Sequence, residues 1–431
     1  MDEFVELDFS KVANIEDLKK YESKVLNINS ILNSSKLLEK ENLDWMNLEE
    51  NILENALYTK MQGIVKNWKN QNIEVLVVIG IGPEYLIPKT TYEFLFRNNK
   101  NKKPNIEIIF AGQNISSEYL VKTLKYVENK RFAINVINKN GNTLETSIAF
   151  REFRKLLEHK IGSELAKKLI VVTTDISKNI LSDLSIVKGY EKLGIVQNLS
   201  NYFAVFSPIG IFPLMVAGGN IEKFINGAKI AINEANQENL LKNNPYLYAC
   251  LRHFLSKKNS VEYLSSFEKE FNYFGEWWKQ LFAENYGKDD KGLLPVNATF
   301  STDIFLLENM DNNLKNESII TLFVPKKYNN DIFIERSIKA KKYINFIDGK
   351  NFLDVNYENL IKLNPLNKFN NLNTIYFKYN KKDEELLGYL FQFFLRSYII
   401  NAYLNDINPF AQSGAEVFKV NMVKINQNNE N

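Results

Sequence analysis

The sequence predicts an α/β protein built on parallel β-sheets. Short, uninterrupted apolar runs alternate along the chain with longer stretches of helical apolar spacing. Such runs are typical of strands that are buried on both faces, and their alternation with helices is the pattern of βαβ units on a parallel sheet. The chain of 431 residues is also long enough for two or three domains with a large core.

The predicted strands fall into two groups along the chain. The first group comprises residues 75–79, 106–110, 132–137 and 169–173, and the second comprises 261–264, 319–324 and 374–379. Helical patterns include residues 143–157, 267–282 and the long apolar stretch 384–404. The first fifty or so residues are predicted to be helices joined by short polar loops.

Composition and charge exclude several classes of protein. The formal net charge of +3 is too small to imply a nucleic-acid partner. A single cysteine, Cys250, excludes an internal disulfide, and the acidic start MDEFVELDF lacks the basic region of a signal peptide. The uncharged stretch 202–219 is interrupted by prolines and glycines, which favours a buried core segment over a membrane span. We therefore expect a cytoplasmic protein with no nucleic-acid and no membrane partner.

A candidate anion site follows the first predicted strand. The turn Gly80-Ile81-Gly82 leads from residues 75–79 into a helical stretch, and a strand, a glycine turn and a helix N-terminus together form an anion cradle. Pro83 has no N–H to donate, however, and Glu84 brings a negative charge that would repel a phosphate dianion. The alternative is that Glu84 is only a favourable acidic residue in the first turn of a helix. This alternative explains the presence of Glu84 equally well.

Three other polar stretches carry candidate chemistry, because ligands of such sheets bind at the carboxyl ends of the strands. One is NVINKNGNTLETSIAFREF, which begins at Asn135. The second is WWKQLFAENYGKDDKGLLP, which begins at Trp277, and the third is NPFAQSGAEVFKVNM, which begins at Asn408.

These stretches resemble the glucose-6-phosphate isomerases of the short bacterial type. FGEWWKQLFAENYGKDDKGLLPVNATFSTDIF is similar to the catalytic region of that family, and NPFAQSGAEVFK is similar to its C-terminal signature N-P-F-[DN]-Q-P-G-V-E-x-x-K. SPIGIFPLMVAGGNIEKFINGA is similar to the segment after the family's arginine motif. The turn at Gly80 stands where the family has G-I-G-G-S-x-L-G. Four matches in the family's order and spacing identify the chain as a member from about residue 75 onward.

The resemblance implies a fold of two sugar-isomerase (SIS)-type doubly wound subdomains and a homodimer with its sites at the dimer interface. We expect an N-terminal helical segment, 1–60, that packs on the second subdomain. The first subdomain is expected at 61–200, the second at 201–380, and C-terminal helices that complete the site at 381–431.

The family's reaction moves a proton between adjacent carbons of a sugar phosphate through an enediolate. It requires a carboxylate base, a means of opening the sugar ring, a positive group near the developing oxyanion and groups that bind the phosphate. We expect neither a cofactor nor a metal. The resemblance places the base at Glu284, a sugar-binding glutamine at Gln280, the lysine that assists ring opening at Lys419, and a further retained glutamine at Gln412. Taken alone, Glu284 could equally be an exposed helix-end acid beside Lys288.

The phosphate loop is retained in part. The family has S-K-[ST]-x-T-T-x-E, and the corresponding stretch NKNGNTLE keeps the lysine, one threonine and the glutamate but has asparagines in place of hydroxyl-bearing residues. The substrate contacts that the resemblance implies in this loop and in the cradle are Asn138, Lys139, Asn140, Thr143 and Gly82.

Other family positions are altered. Phe305 stands in place of the ring-opening histidine, which in the family reaches into the partner's site, so we expect Phe305 at or near a dimer interface. Tyr202 stands in place of the arginine that faces the enediolate, and Pro83 and Glu84 replace a glycine and a serine of the cradle. The C-terminal signature also differs at three positions: Ala411, Ser413 and Ala415.

These alterations leave two hypotheses. Losing one oxyanion donor typically costs about a hundred- to a thousandfold in rate, and losing a general acid–base group costs about a hundred- to ten-thousandfold. Spontaneous ring opening bypasses the histidine, whereas nothing obvious bypasses the arginine. The chain is therefore either a divergent glucose-6-phosphate isomerase of reduced activity or a pseudoenzyme that keeps the dimeric fold as a binding or structural protein. The retained Glu284, Gln280, Gln412 and Lys419 favour the first.

Overall fold

The computed structural model describes residues 4–32, 34, 43–48, 53, 55–97, 102–141, 143–197, 199–286, 291–299, 302–303, 317–327, 331–335, 349–351 and 373–410. Its strands, in chain order, are β1 (Val5–Asp8), β2 (Val75–Ile79), β3 (Glu107–Ala111), β4 (Phe132–Ile137), β5 (Ile170–Asp175), β6 (Glu191–Ile195), β7 (Val261–Ser266), β8 (Leu294–Thr299), β9 (Ser318–Pro325), β10 (Phe333–Ile334), β11 (Lys350–Asn351) and β12 (Asn373–Tyr379).

The helices lie between and around these strands. In chain order they are α1 (Ile15–Lys19), α2 (Glu22–Leu32), α3 (Asp44–Asn47), α4 (Ala56–Asn70), α5 (Pro83–Leu95), α6 (Ser117–Glu128), α7 (Leu144–Ile161), α8 (Ser163–Ala166), α9 (Ile180–Lys188), α10 (Pro208–Ala217), α11 (Ile221–Ala235), α12 (Asn244–Leu255), α13 (Asn272–Ala283) and α14 (Glu384–Leu404).

The larger strands form two five-stranded sheets. The first has the order β3-β2-β4-β5-β6, and all its strands are parallel. The second has the order β1-β12-β9-β7-β8 and is parallel except at β1, which pairs antiparallel with β12 so that Val5 lies opposite Tyr379. The predicted α/β class with two parallel sheets is therefore confirmed.

The sequence reasoning found the central strands and missed most edge strands. The prediction that the first fifty residues are only helices and loops is wrong, because Val5–Asp8 is the edge strand β1. Strands β6 and β8 were also missed, and both lie at sheet edges. Only Val5 is buried in β1, and β6 reads EKLGI with two buried residues. An edge strand half open to solvent does not need the apolar run by which central strands were recognised.

The expected limits of the segments remain predictions, but one of them does not coincide with a break in structure. The limit between residues 60 and 61 lies inside helix α4, Ala56–Asn70.

The uncharged stretch 202–219 forms part of a 3₁₀ turn, Asn201–Phe206, followed by helix α10, and both are largely buried. This burial confirms the prediction of a core segment. Within the described residues, no helix is both long enough and apolar enough to cross a bilayer.

Helix α14 crosses helix α11 at very short range. Gly227 of α11 and Gly388 of α14 lie at the crossing, and a Cβ at Gly227 would overlap the backbone carbonyl of Glu385. A Cβ at Gly388 would likewise overlap the carbonyl of Phe224. Only glycine lets the two backbones approach in this way, so the pair fixes how α14 enters the core.

This crossing yields a stability prediction. We expect Gly227→Ala to lower the free energy of unfolding by about 3 kcal/mol, because the methyl group has no room without moving a backbone. Gly63→Ala is the matched control, because Gly63 also lies inside a helix but its Cβ would meet no atom within 4 Å. This control should raise the stability by about 0.5–1 kcal/mol. Equal effects of the two substitutions in urea unfolding would contradict the packing argument.

Candidate active site

One buried carboxylate joins three loops at the carboxyl edge of the first sheet. Glu84, in the first turn of α5, is 4% exposed. Its Oε1 accepts a hydrogen bond from the backbone N–H of Lys139 at 2.8 Å and another from Nδ2 of Asn201 at 3.1 Å. Lys139 follows β4 and Asn201 follows β6, so the connections after β2, β4 and β6 meet at this side chain.

The turn that precedes Glu84 is tight. Strand β2 is buried at all five residues and ends at Gly80, where a Cβ would lie 2.8 Å from the carbonyl oxygen of Glu84. Gly82 is the N-cap of α5 with φ +60°, which favours glycine, and Pro83 takes the first helical position, where its missing N–H is not needed. The backbone of the expected cradle is therefore present, and Glu84 is directed across it.

The loop after β4 is held by its own side chains. Asn138 is buried, its Oδ1 accepts the N–H of Gly141 at 2.9 Å, and its Nδ2 donates to Oγ1 of Thr146 at 2.8 Å. The ammonium group of Lys139 donates to the carbonyl oxygen of Leu199. Two expected substrate contacts, Asn138 and Lys139, thus also shape the loop.

The two remaining expected contacts of this loop are open to solvent to different degrees. Asn140 is exposed at the tip of the loop, and Thr143 is partly exposed at the N-cap of α7. The Thr143 side chain makes no capping hydrogen bond.

The expected base, Glu284, lies at the C-terminal end of a helix of the second half of the chain. It follows the last residue of α13 and is partly exposed, and Gln280 lies one helical turn earlier, also partly exposed. Burial raises the pKa of the Tyr398 hydroxyl, and the nearby Glu284 carboxylate and Tyr202 raise it further. Glu284 and Tyr202 are therefore close enough to act electrostatically on the same phenol.

Aromatic rings join the Glu284 side of the region to the Glu84 side. The ring centroid of Tyr398 lies 5.9 Å from that of Phe203 and 5.7 Å from that of Phe282. The Tyr398 hydroxyl donates to Oδ1 of Asn285, next to Glu284, at 3.0 Å. Because Phe203 lies two residues after the Glu84 partner Asn201, a continuous series of contacts links the expected cradle to the expected base.

Some of the sequence-based candidates cannot be placed. Gln412, Lys419, Phe305 and the three differing positions of the C-terminal signature lie outside the described residues. Within the described residues, no group of three or more His, Cys, Asp or Glu side chains is arranged to hold a metal ion.

A buried ion pair beneath Glu284 was not anticipated. Arg252 of α12 pairs with Glu262 of β7, and the guanidinium lies 4.1 Å from the ring centroid of Phe282, two residues before Glu284. Glu262 also accepts hydrogen bonds from the hydroxyls of Tyr248 at 2.5 Å and Thr321 at 2.8 Å. The partners belong to three different elements, α12, β7 and β9, so no local pattern could indicate them.

The two histidines of the chain both lie in helices. His159 lies in the last turn of α7. The Nδ1 of His253 lies 2.8 Å from Oδ1 of Asn405, and its ring packs edge-on against Tyr21. Burial lowers the pKa of His253.

The chain is similar to known sugar-phosphate isomerases along nearly its whole length. A family model described as phosphoglucose isomerase matches residues 51–304. A glucose-6-phosphate isomerase of Mycoplasmopsis synoviae (strain 53) is 40% identical over 425 residues, which are 97% of each chain. One of Mycoplasmopsis pulmonis (strain UAB CTIP) is 40% identical over 424 residues, which are 98% of each chain.

Solved structures share the fold. A glucose-6-phosphate isomerase from Chlamydia trachomatis D/UW-3/Cx has a TM-score of 0.76 at 16% identity and covers 98% of this chain and 88% of its own. A hypothetical protein from Thermus thermophilus has a TM-score of 0.79 at 20% identity and covers 97% of this chain and 99% of its own. At these identities the likeness shows a common fold.

The ion pair beneath Glu284 yields a second stability prediction. Arg252→Met should lower the free energy of unfolding by about 3–5 kcal/mol, because it leaves the Glu262 carboxylate buried without its cation. The matched control is Lys60→Met, which breaks the exposed pair between Lys60 and Glu191 at 2.9 Å. The control should cost less than about 1 kcal/mol. If Arg252→Met lowers the free energy of unfolding, measured in urea, by no more than the control does, the role assigned to the buried pair is wrong.

Proposed function

The chain belongs to the phosphoglucose isomerase family, and on that premise we propose that it interconverts glucose 6-phosphate and fructose 6-phosphate, a step of glycolysis. The observation that carries the proposal is the 40% identity, over nearly the full length, to relatives named glucose-6-phosphate isomerase. None of the comparisons favours the alternative of a pseudoenzyme. A cytoplasmic location is part of the same proposal.

Glu284 is proposed as the base that carries the proton. Its carboxylate removes the proton from C2 of the open aldose to give the enediolate and returns it to C1 to give the ketose. Partial exposure at the end of α13 supports this role, and the buried Tyr398–Asn285 hydrogen bond holds the chain next to Glu284. Gln280, one turn earlier, is proposed to bind the sugar hydroxyls.

The remaining roles follow the resemblance. Lys419 assists ring opening, Gln412 binds the substrate, and the loop with Lys139, Asn140 and Thr143 receives the phosphate. Tyr202 offers a neutral phenol where family members have arginine, so it stabilises the enediolate oxygens less than a cation would. We therefore propose a lower rate than an arginine-bearing site would give.

A homodimer is part of the proposal, and the surface near the loop after β4 supports it. Helix α9 exposes large apolar side chains, with Ile186 at 74% and Val187 at 79%. Its N-cap, Asn179, hydrogen bonds to Thr174, whose hydroxyl donates to the carbonyl of Asn138 at 2.7 Å. A second copy of the chain that covers α9 would therefore lie beside the proposed phosphate loop.

The proposed base is tested by Glu284→Gln. This substitution keeps the size and hydrogen bonding of the side chain and removes the base, so the rate with fructose 6-phosphate in a coupled assay should fall by at least about a hundredfold. Glu276→Gln is the matched control on the same helix and should leave the rate within about twofold. If the parent is active and Glu284→Gln has the same rate, another group is the base.

The proposed dimer is tested by light scattering at micromolar concentration. The parent should have twice the mass of one chain, and Ile186→Glu should reduce it to a single chain, because the substitution places a charge in an apolar interface. Val121→Glu, at another exposed apolar position, should remain a dimer. A monomeric parent would exclude the proposal.

A further inference from the structure

We propose that the Glu84 carboxylate competes with the phosphate group of the substrate. It occupies the position of an anion at the carboxyl edge of the first sheet and thereby limits how tightly this protein binds phosphorylated ligands. The inference rests on the proposed function and deepens it, because it names the residue that sets the affinity of the site for phosphate.

The burial and hydrogen bonding of Glu84 carry the first step. A glutamate that is only 4% exposed is unusual unless it is paired or hydrogen-bonded. The same oxygen of Glu84 accepts from the Lys139 N–H at 2.8 Å and from Asn201 Nδ2 at 3.1 Å. The side chain is thus turned inward, across the edge of the sheet, and the sequence alternative of a merely favourable first-turn acid does not explain that direction.

The groups around this carboxylate are those that an anionic ligand would use. Backbone N–H groups in a loop after a parallel strand, together with the positive end of a helix, form a common phosphate site. Here the N–H of Lys139 is bonded to Glu84, and the N–H of Gly141 is bonded to Oδ1 of Asn138. Side-chain oxygens of the chain itself thus occupy two backbone donors of the loop, and one of those oxygens carries charge.

A phosphate dianion that enters this region meets a like charge. It must either displace the Glu84 side chain from the Lys139 N–H or bind beside it. Both routes weaken binding, because the first breaks hydrogen bonds to a charged acceptor and the second places two negative charges close together in a partly buried site. The tight turn at Gly80 packs against the backbone of Glu84, so rotation of the side chain is the simplest way to open the position.

The experiment measures binding of inorganic phosphate to the full-length protein by titration calorimetry. Glu84→Gln keeps the shape of the side chain without its charge, and Glu84→Ser removes most of the side chain. Both should bind phosphate at least about tenfold more tightly than the parent, because the like charge is gone. In the coupled assay, both should lower KM for fructose 6-phosphate more than they change kcat.

The matched control is Glu93→Gln. Glu93 is a second buried carboxylate on α5, but it pairs with Lys89 and Arg97 instead of with the loop after β4. Its substitution should leave phosphate affinity within about twofold of the parent. A general effect of losing a buried charge from α5 would appear in this variant as well, and would overturn the proposal.

The outcomes separate this inference from the proposed function. If Glu84→Gln binds phosphate no more tightly than the parent does, the inference is overturned, even if the parent is an active isomerase. Tighter phosphate binding in a protein that shows no turnover supports the inference and contradicts the proposed activity. If Glu84→Gln does not fold, as judged by near-ultraviolet circular dichroism, Glu84→Ser decides between the same two outcomes.

Discussion

Helix α14 is buried along nearly its whole length, so its polar side chains need hydrogen-bond partners inside the protein. Those partners come from several distant segments of the chain. Arg396 reaches the carbonyl of Met46 in the N-terminal segment, Asn401 accepts from Arg252 beneath the second sheet, and Tyr398 donates to Asn285 beside the proposed base. Because α14 also crosses α11 through paired glycines, its position fixes the geometry on which the site depends.

The proposed site lies near the end of the first sheet, where loops meet at one carboxylate. Glu84 joins the loops after β4 and β6, and the ring of Tyr398 lies between the turn that carries Tyr202 and the end of α13 that carries Glu284. The Glu84 carboxylate is buried, whereas the Glu284 carboxylate is partly exposed. This difference in surroundings is why the same functional group holds loops together at one place and is proposed to move a proton at the other.

Sequence reasoning recovered those parts of the fold that depend on local patterns. The apolar run Val75–Ile79 and the long helix Glu384–Leu404 were predicted with the bounds that the structure has. The strand Val5–Asp8 was missed, because its place in the sheet comes from pairing with the distant residues Tyr376 to Tyr379. The sequence also raised the question of a charge at Glu84. It could not show that the carboxylate faces the Lys139 N–H, because that contact depends on how two distant loops fold.

The central claim is that this region transfers a proton on a sugar phosphate, and isotope exchange tests it most directly. Glucose 6-phosphate incubated with the protein in D₂O should give fructose 6-phosphate that carries solvent-derived deuterium at C1, observed by NMR, because a proton held on a partly exposed carboxylate exchanges with solvent before it is returned. The same incubation with Glu284→Gln should give neither product nor deuterium. Glucose 6-phosphate recovered unchanged and without deuterium from the parent protein would contradict the claim.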